Sequence, residues 1–472
     1  MEPIVEFRNI TMDFPGVRAN EDVTLSIRKG EIFALVGENG AGKSTLMNIL
    51  YGILTPTTGQ VVIKGKPITD YNPKNAIALG VGMVHQHFML VPSFTVAQNI
   101  VLSREPKKLG VLYDLEAANK AVADLSTEYG LEVNPTDVVG QLSVGLQQRV
   151  EILKTLYRGA EVLILDEPTA VLTPQETDEL FAVLRRVVAE KGMTVIIITH
   201  KLYEVMAISD RVGVLRQGKL IGIEETKNVN ERILASMMVG REVLQEPVEK
   251  PDTAGEVKIS VSDLHVPDNR GLPAVKGLSL EVRSGEILGI AAIEGNGQSE
   301  LLEAITGMRP YSGTITVAGQ DIRGMNPGQI RNLGLSHVPE DRLATGVSAQ
   351  ADIADNLLMG KHKNPEFTKF RFHQNKKAIR DYASRIFEKF DVRAPGVETK
   401  VGSLSGGNMQ KVVIAREFSF DSDVYIIAQP TRGVDIGAIE FIHNRILRRK
   451  RKAPPFCCAV PTWTKCCGFP TG

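Results

Sequence analysis

Short apolar runs, rich in β-branched residues, alternate along the chain with longer segments of helical pattern. Ile32–Val36, Val162–Leu165 and Thr194–Thr199 each have the length of a buried strand. Apolar strands that alternate with helices are typical of α/β domains whose sheets are largely parallel. The pattern therefore predicts that fold class.

These apolar runs are too short to cross a membrane. Val195–Ile198 and Ile287–Ile293 are two of the longest, whereas a spanning helix needs about 20 apolar residues. The amino-terminal sequence Met-Glu-Pro-Ile-Val-Glu has neither the basic start nor the apolar stretch of a secretory signal. We therefore expect a protein that stays in the cytoplasm.

Several motifs occur twice in the same order, which indicates a tandem duplication. The pairs are Gly30-Glu31-Ile32 with Gly285-Glu286-Ile287, Leu142–Gly145 with Leu404–Gly407, and Glu167-Pro168-Thr169 with Gln429-Pro430-Thr431. Strand-like stretches, Val23–Arg28 and Leu278–Arg283, precede the first pair. The 472 residues suit two domains. The sequence predicts domains at 1–240 and 258–447, a polar linker at 241–257 and a separate tail at 448–472.

The segment Gly37–Thr45 matches the phosphate-loop pattern G-x-x-x-x-G-K-[ST] between a predicted strand and a predicted helix. Its glycines let backbone N–H groups turn towards phosphates, and the helix N-terminus adds positive potential. Lys43 is expected to reach the β- and γ-phosphates and the Ser44 hydroxyl to ligate Mg²⁺. The predicted nucleotide-binding residues here are Gly37, Asn39, Gly40, Ala41, Gly42, Lys43, Ser44 and Thr45.

Two acids, Asp166 and Glu167, follow the apolar strand that begins at Val162. An aspartate at such a strand end suits coordination of Mg²⁺, and the next glutamate suits polarisation of the water that attacks a phosphate. Asp-Glu after a strand is weak evidence by itself, but it is strong evidence behind a complete phosphate loop. We expect Asp166 to serve the metal and Glu167 to be catalytic.

Charge and cysteine content narrow the possibilities further. Lysine plus arginine and aspartate plus glutamate balance at 55 each, which gives no electrostatic reason to expect nucleic-acid binding or a polybasic membrane anchor. The four cysteines are Cys457, Cys458, Cys466 and Cys467. Their two adjacent pairs do not match the C-x2-C spacing of zinc sites.

Leu142–Gln148 and Leu404–Gln410 resemble the signature motif of ABC-type ATPases. The resemblance implies tandem P-loop ATPase domains. Each would have a RecA-like, mostly parallel sheet, an antiparallel β subdomain and a helical subdomain that bears the signature. It further implies that His200 is the catalytic switch histidine. Gln86 would sense Mg²⁺ and couple to the membrane subunit, and Phe14 would stack on adenine.

The second half departs from the family pattern at the positions that perform chemistry. When the two halves are aligned, the second half has Gln298 at the position of Lys43, Ala292 at that of Gly37 and Glu300 at that of Thr45. It has Ala428 at the position of Asp166, Gln429 at that of Glu167, Glu340 at that of Gln86 and Asn269 at that of Phe14. The phosphate-binding cation, the metal aspartate and the water-polarising carboxylate are thus all replaced. We expect the second half to hydrolyse ATP very poorly, if at all.

The signatures show the opposite asymmetry. Leu404–Asn408 reads Leu-Ser-Gly-Gly-Asn, whereas residues 142–146 read Leu-Ser-Val-Gly-Leu. In ABC proteins each site joins one half's phosphate loop to the other half's signature. The resemblance therefore implies one catalytic site, completed by Ser405, Gly406 and Gly407, and one structural site.

Other segments resemble particular importers. Glu294–Glu300, Pro339–Arg342 and Ala428–Gly433 resemble the fused ATPases of ribose-, galactose- and xylose-type importers. Gly82–Leu90 and Gln147–Lys154 look more like the nucleoside branch. The resemblance implies two transmembrane permeases, an extracytoplasmic substrate-binding protein, ATP with Mg²⁺, and a peripheral position on the cytoplasmic face of the membrane. A soluble tandem ABC ATPase of translation or DNA repair is an alternative, against which Gln429, the short linker and the neutral charge all count.

The family resemblance stops after Leu447. A basic run, Arg448–Lys452, precedes a segment without periodicity that holds every cysteine and Trp463. We interpret this as a frameshift or truncation, with a naturally divergent tail as the alternative. Family members continue there through a strand that ends in a second switch histidine. We therefore expect the second domain to lack a core strand, and a non-functional gene product is a further hypothesis.

Overall fold

A computed structural model of the chain describes residues 3–85, 88–108, 112–169, 172–241, 255–291, 295–370, 373–431, 434, 436–450 and 456–460. At 436, 447–450 and 456–460 only the backbone is described. The chain divides into two compact units, Met1–Val243 and Leu244–Gly472. Within the described ranges, no helix has both the length and the apolar character that a membrane span requires.

The first unit contains twelve strands and eight α-helices within the described residues. The strands are β1 (Pro3–Phe14), β2 (Val17–Arg28), β3 (Ile32–Val36), β4 (Thr58–Ile63), β5 (Lys66–Pro67), β6 (Val81–Val84), β7 (Lys107–Lys108), β8 (Leu112–Tyr113), β9 (Val162–Asp166), β10 (Thr194–Thr199), β11 (Arg211–Arg216) and β12 (Lys219–Glu225). The helices are α1 (Lys43–Leu50), α2 (Pro73–Ala78), α3 (Val96–Val101), α4 (Leu115–Tyr129), α5 (Val144–Tyr157), α6 (Pro174–Lys191), α7 (Leu202–Ile208) and α8 (Glu231–Val239).

The central sheet of the first unit has the order β12-β11-β3-β10-β9-β6. Its neighbours are parallel except β11 with β12. Every residue of β3, β9 and β10 is buried. One face packs with α1 and residues of β1, β2 and β4, and the other packs with α3–α6. Burial on both faces explains the continuous apolar runs and confirms the predicted fold class.

A second sheet of the first unit, β2-β1-β4-β5, is antiparallel. Along β1, Val5 and Phe7 are fully buried, and register shifts interrupt the alternation towards the end of the strand. This sheet is the antiparallel β subdomain that the resemblance implies. The strand predicted at Val23–Arg28 is longer than expected, because β2 begins at Val17.

The second unit repeats this plan. Its strands are β13 (Val257–Pro267), β14 (Pro273–Arg283), β15 (Ile287–Ala291), β16 (Ser312–Val317), β17 (Gln320–Asp321), β18 (Leu335–Val338), β19 (Thr368–Lys369), β20 (His373–Gln374), β21 (Val424–Ala428) and β22 (Phe456–Val460). Its α-helices are α9 (Gln298–Ile305), α10 (Pro327–Asn332), α11 (Ile353–Leu358), α12 (Lys376–Lys389), α13 (Gly406–Phe418) and α14 (Ile436–Lys450). Because β13 begins at Val257, its first residue falls within the predicted linker.

The tail supplies a strand to the centre of the second unit. The sheet has the order β15-β22-β21-β18, and β22 pairs in parallel with both β15 and β21. It thus holds the place that β10 holds between β3 and β9. The expectation of a missing core strand is wrong for the described structure, and α14 also continues past Leu447 to Lys450. The frameshift interpretation concerns the coding sequence and stays a hypothesis.

The described part of the second sheet ends at β15, whereas β11 and β12 continue the first sheet beyond β3. This difference is visible in burial: β3 is buried throughout, and β15 is only partly buried. Glu31, immediately before β3, accepts a hydrogen bond from the Arg28 backbone N–H at 2.7 Å and forms an ion pair with Arg211 at 3.1 Å. Burial raises the pKa of Glu31, and the Arg28 N–H and the Arg211 guanidinium oppose that rise.

Replacing Glu31 by alanine should destabilise the first unit more than Glu286→Ala destabilises the second. Glu286 accepts the same type of hydrogen bond, from the Arg283 N–H at 2.8 Å, so that contribution cancels in the comparison. Glu31 additionally neutralises Arg211, which is 8% exposed. Arg211 would keep its longer contact with Glu225 at 4.0 Å, so the buried guanidinium loses its nearer partner, a loss that costs up to about 3 kcal/mol.

Hydrogen exchange of the β3 and β15 amides, measured as a function of urea concentration, gives the loss of unfolding free energy in each unit separately. Equal losses in the two units would contradict the role given to the Glu31–Arg211 pair.

Candidate functional site

The loop between β3 and α1 wraps around the side chain of Lys43. Gly40 and Gly42 have φ angles of 81° and 97°, which are open to glycine and strained for other residues. The Lys43 ammonium donates hydrogen bonds to the carbonyl oxygens of Gly37 at 2.8 Å and Glu38 at 2.9 Å. The predicted phosphate loop therefore buries Lys43, which is 6% exposed, and binds its ammonium with two backbone carbonyl oxygens.

Two glycines of this loop lie against other segments too closely for any side chain. A Cβ on Gly37 would lie 2.3 Å from the Leu215 carbonyl oxygen, and one on Gly42 would lie 2.3 Å from the Ala19 carbonyl oxygen. The buried Asn20 amide donates to the Gly42 carbonyl at 3.2 Å. The sequence predicted the glycines, but it gave no signal for Asn20, because that contact joins β2 to the loop across the fold.

The Ser44 side chain lies close enough to the Asp166 carboxylate, at the end of β9, to stabilise its charge. Burial raises the pKa of Asp166, and the neighbouring charge of Glu167 adds to the rise, while Ser44 and the Lys43 ammonium oppose it. The structure thus brings together the hydroxyl and the carboxylate that the sequence assigned to the metal. These hard oxygen donors fit Mg²⁺.

Glu167 and His200 lie at the ends of β9 and β10 and contact each other. The Glu167 carboxylate accepts a hydrogen bond from Nδ1 of His200 at 2.8 Å, with both side chains less than one-fifth exposed. This hydrogen bond lowers the pKa of Glu167 against the effect of burial, and the positive charge of Lys43 contributes. An ionised carboxylate is thereby kept beside the phosphate loop, as an acceptor for a water proton needs to be.

The backbone at Glu167 is itself unusual. Its φ is 48°, a left-handed value for a residue that has a side chain. Its N–H donates to the carbonyl oxygen of Ile198 in β10 at 2.9 Å, which ties the turn to the neighbouring strand. Strained backbone that surrounding contacts hold in place is a feature of functional sites.

The remaining predicted residues differ in exposure, and one of them lies outside the described residues. Asn39 and Thr45 are half-buried, Gly40 is exposed and Ala41 is buried. Phe14, at the end of β1, is 40% exposed. Gln86, predicted to bind metal and nucleotide, lies outside the described residues. The roles of all these residues stay predictions.

A polar cluster behind His200 was missed by the sequence reasoning. Glu204 on α7 is 1% exposed and contacts Thr169, Thr199, Lys201 and Tyr203. The available signal was positional, since Thr169 follows Glu167 by two residues and Glu204 follows His200 by four.

The corresponding place in the second unit keeps the backbone and changes the side chains. Gly297 precedes α9 with φ 92°, and Gln429 has φ 41°, close to the values of Gly42 and Glu167. The Gln298 side chain accepts a hydrogen bond from its own loop, from the N–H of Asn296 at 3.1 Å. A neutral amide therefore occupies the position of the ammonium.

Glu340 bridges the second loop to the end of β21. Its carboxylate accepts hydrogen bonds from the Ser299 hydroxyl at 3.1 Å and from the Gln429 amide at 2.5 Å. In the first unit the corresponding serine, Ser44, lies beside Asp166. The second unit thus satisfies these groups among its own side chains.

The serine of each signature begins a helix. Ser143 precedes α5 and accepts from the Leu146 N–H at 3.4 Å, and Ser405 precedes α13 and accepts from the Asn408 N–H at 3.4 Å. The Ser405 hydroxyl also accepts from the side-chain amide of Asn408 at 3.0 Å. Gly406 and Gly407 form the first turn of α13, as the motif predicts for a helix start.

Comparison with known proteins agrees with this geometry. A protein-family model described as "ABC transporter" matches residues 20–170 and 275–432. The nucleoside import ATP-binding protein NupA of Lactococcus lactis is 46% identical over 450 residues, covering 95% of this chain and 88% of that protein. The guanosine import ATP-binding protein NupO of Bacillus subtilis is 46% identical over 452 residues, covering 95% and 88%.

A third relative is the glucose import ATP-binding protein TsgD13 of Haloferax volcanii. It is 42% identical over 483 residues, covering 95% of this chain and 87% of that protein. Each half of the chain matches the family model, and these relatives align over most of their length. The chain therefore belongs to the ABC transporter family.

Proposed function

We propose that this chain is the ATP-hydrolysing subunit of a nucleoside importer and that its first unit performs the hydrolysis. The observation that carries the proposal is the convergence of Lys43, the Ser44–Asp166 pair and the Glu167–His200 pair at the ends of three parallel strands. Phosphoryl transfer to water requires a cation for the phosphates, oxygen ligands for a metal and an acceptor beside the attacking water. The first unit supplies each of them.

Each residue of the first-unit site has a separate role in the proposed hydrolysis. The Lys43 ammonium exchanges its bonds to loop carbonyls for bonds to nucleotide phosphates, and the N-terminal backbone amides of α1 add donors. Ser44 and Asp166 would hold Mg²⁺, which supplies neutralisation of phosphate charge when bound. Glu167 accepts a hydrogen bond from the attacking water, and His200 holds that carboxylate through Nδ1.

The second unit serves a structural role in this proposal. Gln298 replaces the cation, and Ala428 and Gln429 replace the two acids. Glu340 already accepts hydrogen bonds from Ser299 and Gln429. A carboxylate in that place repels the phosphates of a nucleotide rather than attracting them.

The sequence asymmetry supports a composite arrangement. The intact phosphate loop of the first half and the intact signature Ser405–Gly407 of the second would serve one nucleotide, as the family resemblance implies. The weaker loop and signature would serve the other. This pairing is proposed from the sequence.

The relatives support the choice of cargo. Two of them, at 46% identity, are nucleoside and guanosine import ATP-binding proteins, and a relative at 42% is a glucose import ATP-binding protein. We therefore propose a nucleoside as cargo, with a simple sugar as the alternative. The chain would act at the cytoplasmic face of the membrane with two permeases and, indirectly, an extracytoplasmic substrate-binding protein.

Glu167→Gln should lower ATP turnover by about 100-fold or more, because it removes the negative charge that polarises the attacking water and can take its proton. Nucleotide binding should persist, since Lys43 and the loop are unchanged. The matched control is Gln429→Ala, which alters the equivalent position of the second unit and should leave turnover close to that of the unaltered chain. Phosphate release and equilibrium binding of a fluorescent ATP analogue measure the two properties. Equal loss of turnover in both variants would contradict the single-site proposal.

Cargo is tested by transport in cells that lack the chromosomal copy of this gene and express the chain with its permeases. Uptake of labelled guanosine should require the unaltered chain and fail with Glu167→Gln, whereas uptake of labelled glucose or ribose should not respond. Sugar uptake with the same dependence would replace nucleoside by sugar. Co-purification with ribosomes or DNA instead of permeases would favour the soluble ATPase alternative. Failure of transport despite normal ATP turnover would contradict the importer assignment for this chain.

A further inference from the structure

Glu204 is a buried carboxylate for which the proposed hydrolysis has given no role so far. It lies in the first turn of α7 and is 1% exposed. A buried carboxylate costs free energy unless donors surround it. Glu204 is surrounded by donors: the hydroxyls of Thr169, Thr199 and Tyr203 and the ammonium of Lys201.

These donors come from two segments that meet at the site. Thr199, the last residue of β10, donates to Oε2 of Glu204 at 3.0 Å and immediately precedes His200. Thr169 follows Glu167 by two residues, and its hydroxyl donates to Oε1 of Glu204. One carboxylate therefore links the segment that carries the histidine to the segment that carries the catalytic glutamate.

Lys201 makes a second link between the same segments. Its ammonium donates to the carbonyl oxygen of Thr169 at 2.9 Å and to the Thr169 hydroxyl at 3.1 Å, and it pairs with Glu204 at 3.0 Å. Burial and the charge of Glu204 raise the pKa of Tyr203 to about 12, so its hydroxyl stays protonated as a donor to Glu204 at 3.2 Å. The Glu204 carboxylate is thus neutralised by the Lys201 ammonium and hydrogen-bonded by the surrounding hydroxyls.

We propose that Glu204 is a positioning residue that holds His200 and Glu167 at hydrogen-bonding distance during ATP hydrolysis. The inference rests on the proposed function of the first unit. The need for such a link follows from the left-handed φ of Glu167, a conformation that costs free energy and persists only under restraint. The Glu167 N–H bond to β10 restrains the backbone, and Glu204 restrains the segments on either side of the pair.

The effect of Glu204 should appear in kcat rather than in KM for ATP. Glu204→Ala removes the link and should lower kcat by about 10- to 100-fold, the range expected when a catalytic group shifts by about 1 Å. Lys43 and the phosphate loop stay as they are, so KM should stay near that of the unaltered chain. Glu204→Gln keeps one acceptor oxygen and should retain most of kcat, and Tyr203→Phe, which removes only a peripheral donor, should retain nearly all of it.

A double-mutant cycle with His200→Ala separates positioning from general stability. If Glu204 acts through His200, the loss of kcat caused by Glu204→Ala disappears in the His200→Ala background. Additive losses, or a rise in KM with unchanged kcat, would overturn the proposal. Should Glu204→Ala fail to fold, Thr169→Val takes its place in the cycle, because it removes one donor at constant volume.

The unaltered chain and Glu167→Gln are measured alongside these variants. If the unaltered chain does not hydrolyse ATP, the proposed function fails first. A different outcome is that the unaltered chain hydrolyses ATP, Glu167→Gln is inactive and Glu204→Ala keeps the unaltered kcat. In that case the proposed function stands and the positioning role of Glu204 is refuted.

Discussion

The Lys43 ammonium lies 6% exposed among the carbonyl oxygens of its own loop, and its charge also acts on Asp166 and Glu167. Two adjacent carboxylates in a largely buried place repel each other and lose hydration. A cation beside them offsets both effects. The Lys43 charge thus opposes the rise that burial gives to the pKa of Asp166, and it adds to the His200 hydrogen bond in lowering the pKa of Glu167.

The same electrostatics explains why the second unit changed at several positions together. Loss of the cation alone would leave two adjacent acids in a largely buried place with one positive charge fewer beside them, which is costly. In the second unit the cation and both acids are replaced by Gln298, Ala428 and Gln429. The Glu340 carboxylate accepts hydrogen bonds from Ser299 and Gln429. The backbone survives the exchange, as the positive φ angles of Glu167 and Gln429 show.

The sequence predicted the features that local patterns specify. Buried parallel strands appear as apolar runs, and the phosphate loop and the acids after β9 have fixed spacings, so these elements were expected. The family resemblance added His200, but its contact with Glu167 is visible only in the structure. Asn20, Glu204 and the Glu340 bridge were missed. Each joins segments distant in sequence. Glu204 had a positional signal, four residues after His200, but a polar residue at such a distance is ordinary by itself.

The error at the tail has a different physical cause. A strand buried on both sides need not alternate, so the absence of periodicity in Phe456–Val460 did not argue against a strand. Its backbone pairs with β15 and β21 on either side. In the first unit Thr199 is followed by His200, whereas in the sequence Val460 is followed by Pro461. The tail strand therefore supplies the scaffold of the second site without its histidine, which suits a site whose acids are already replaced.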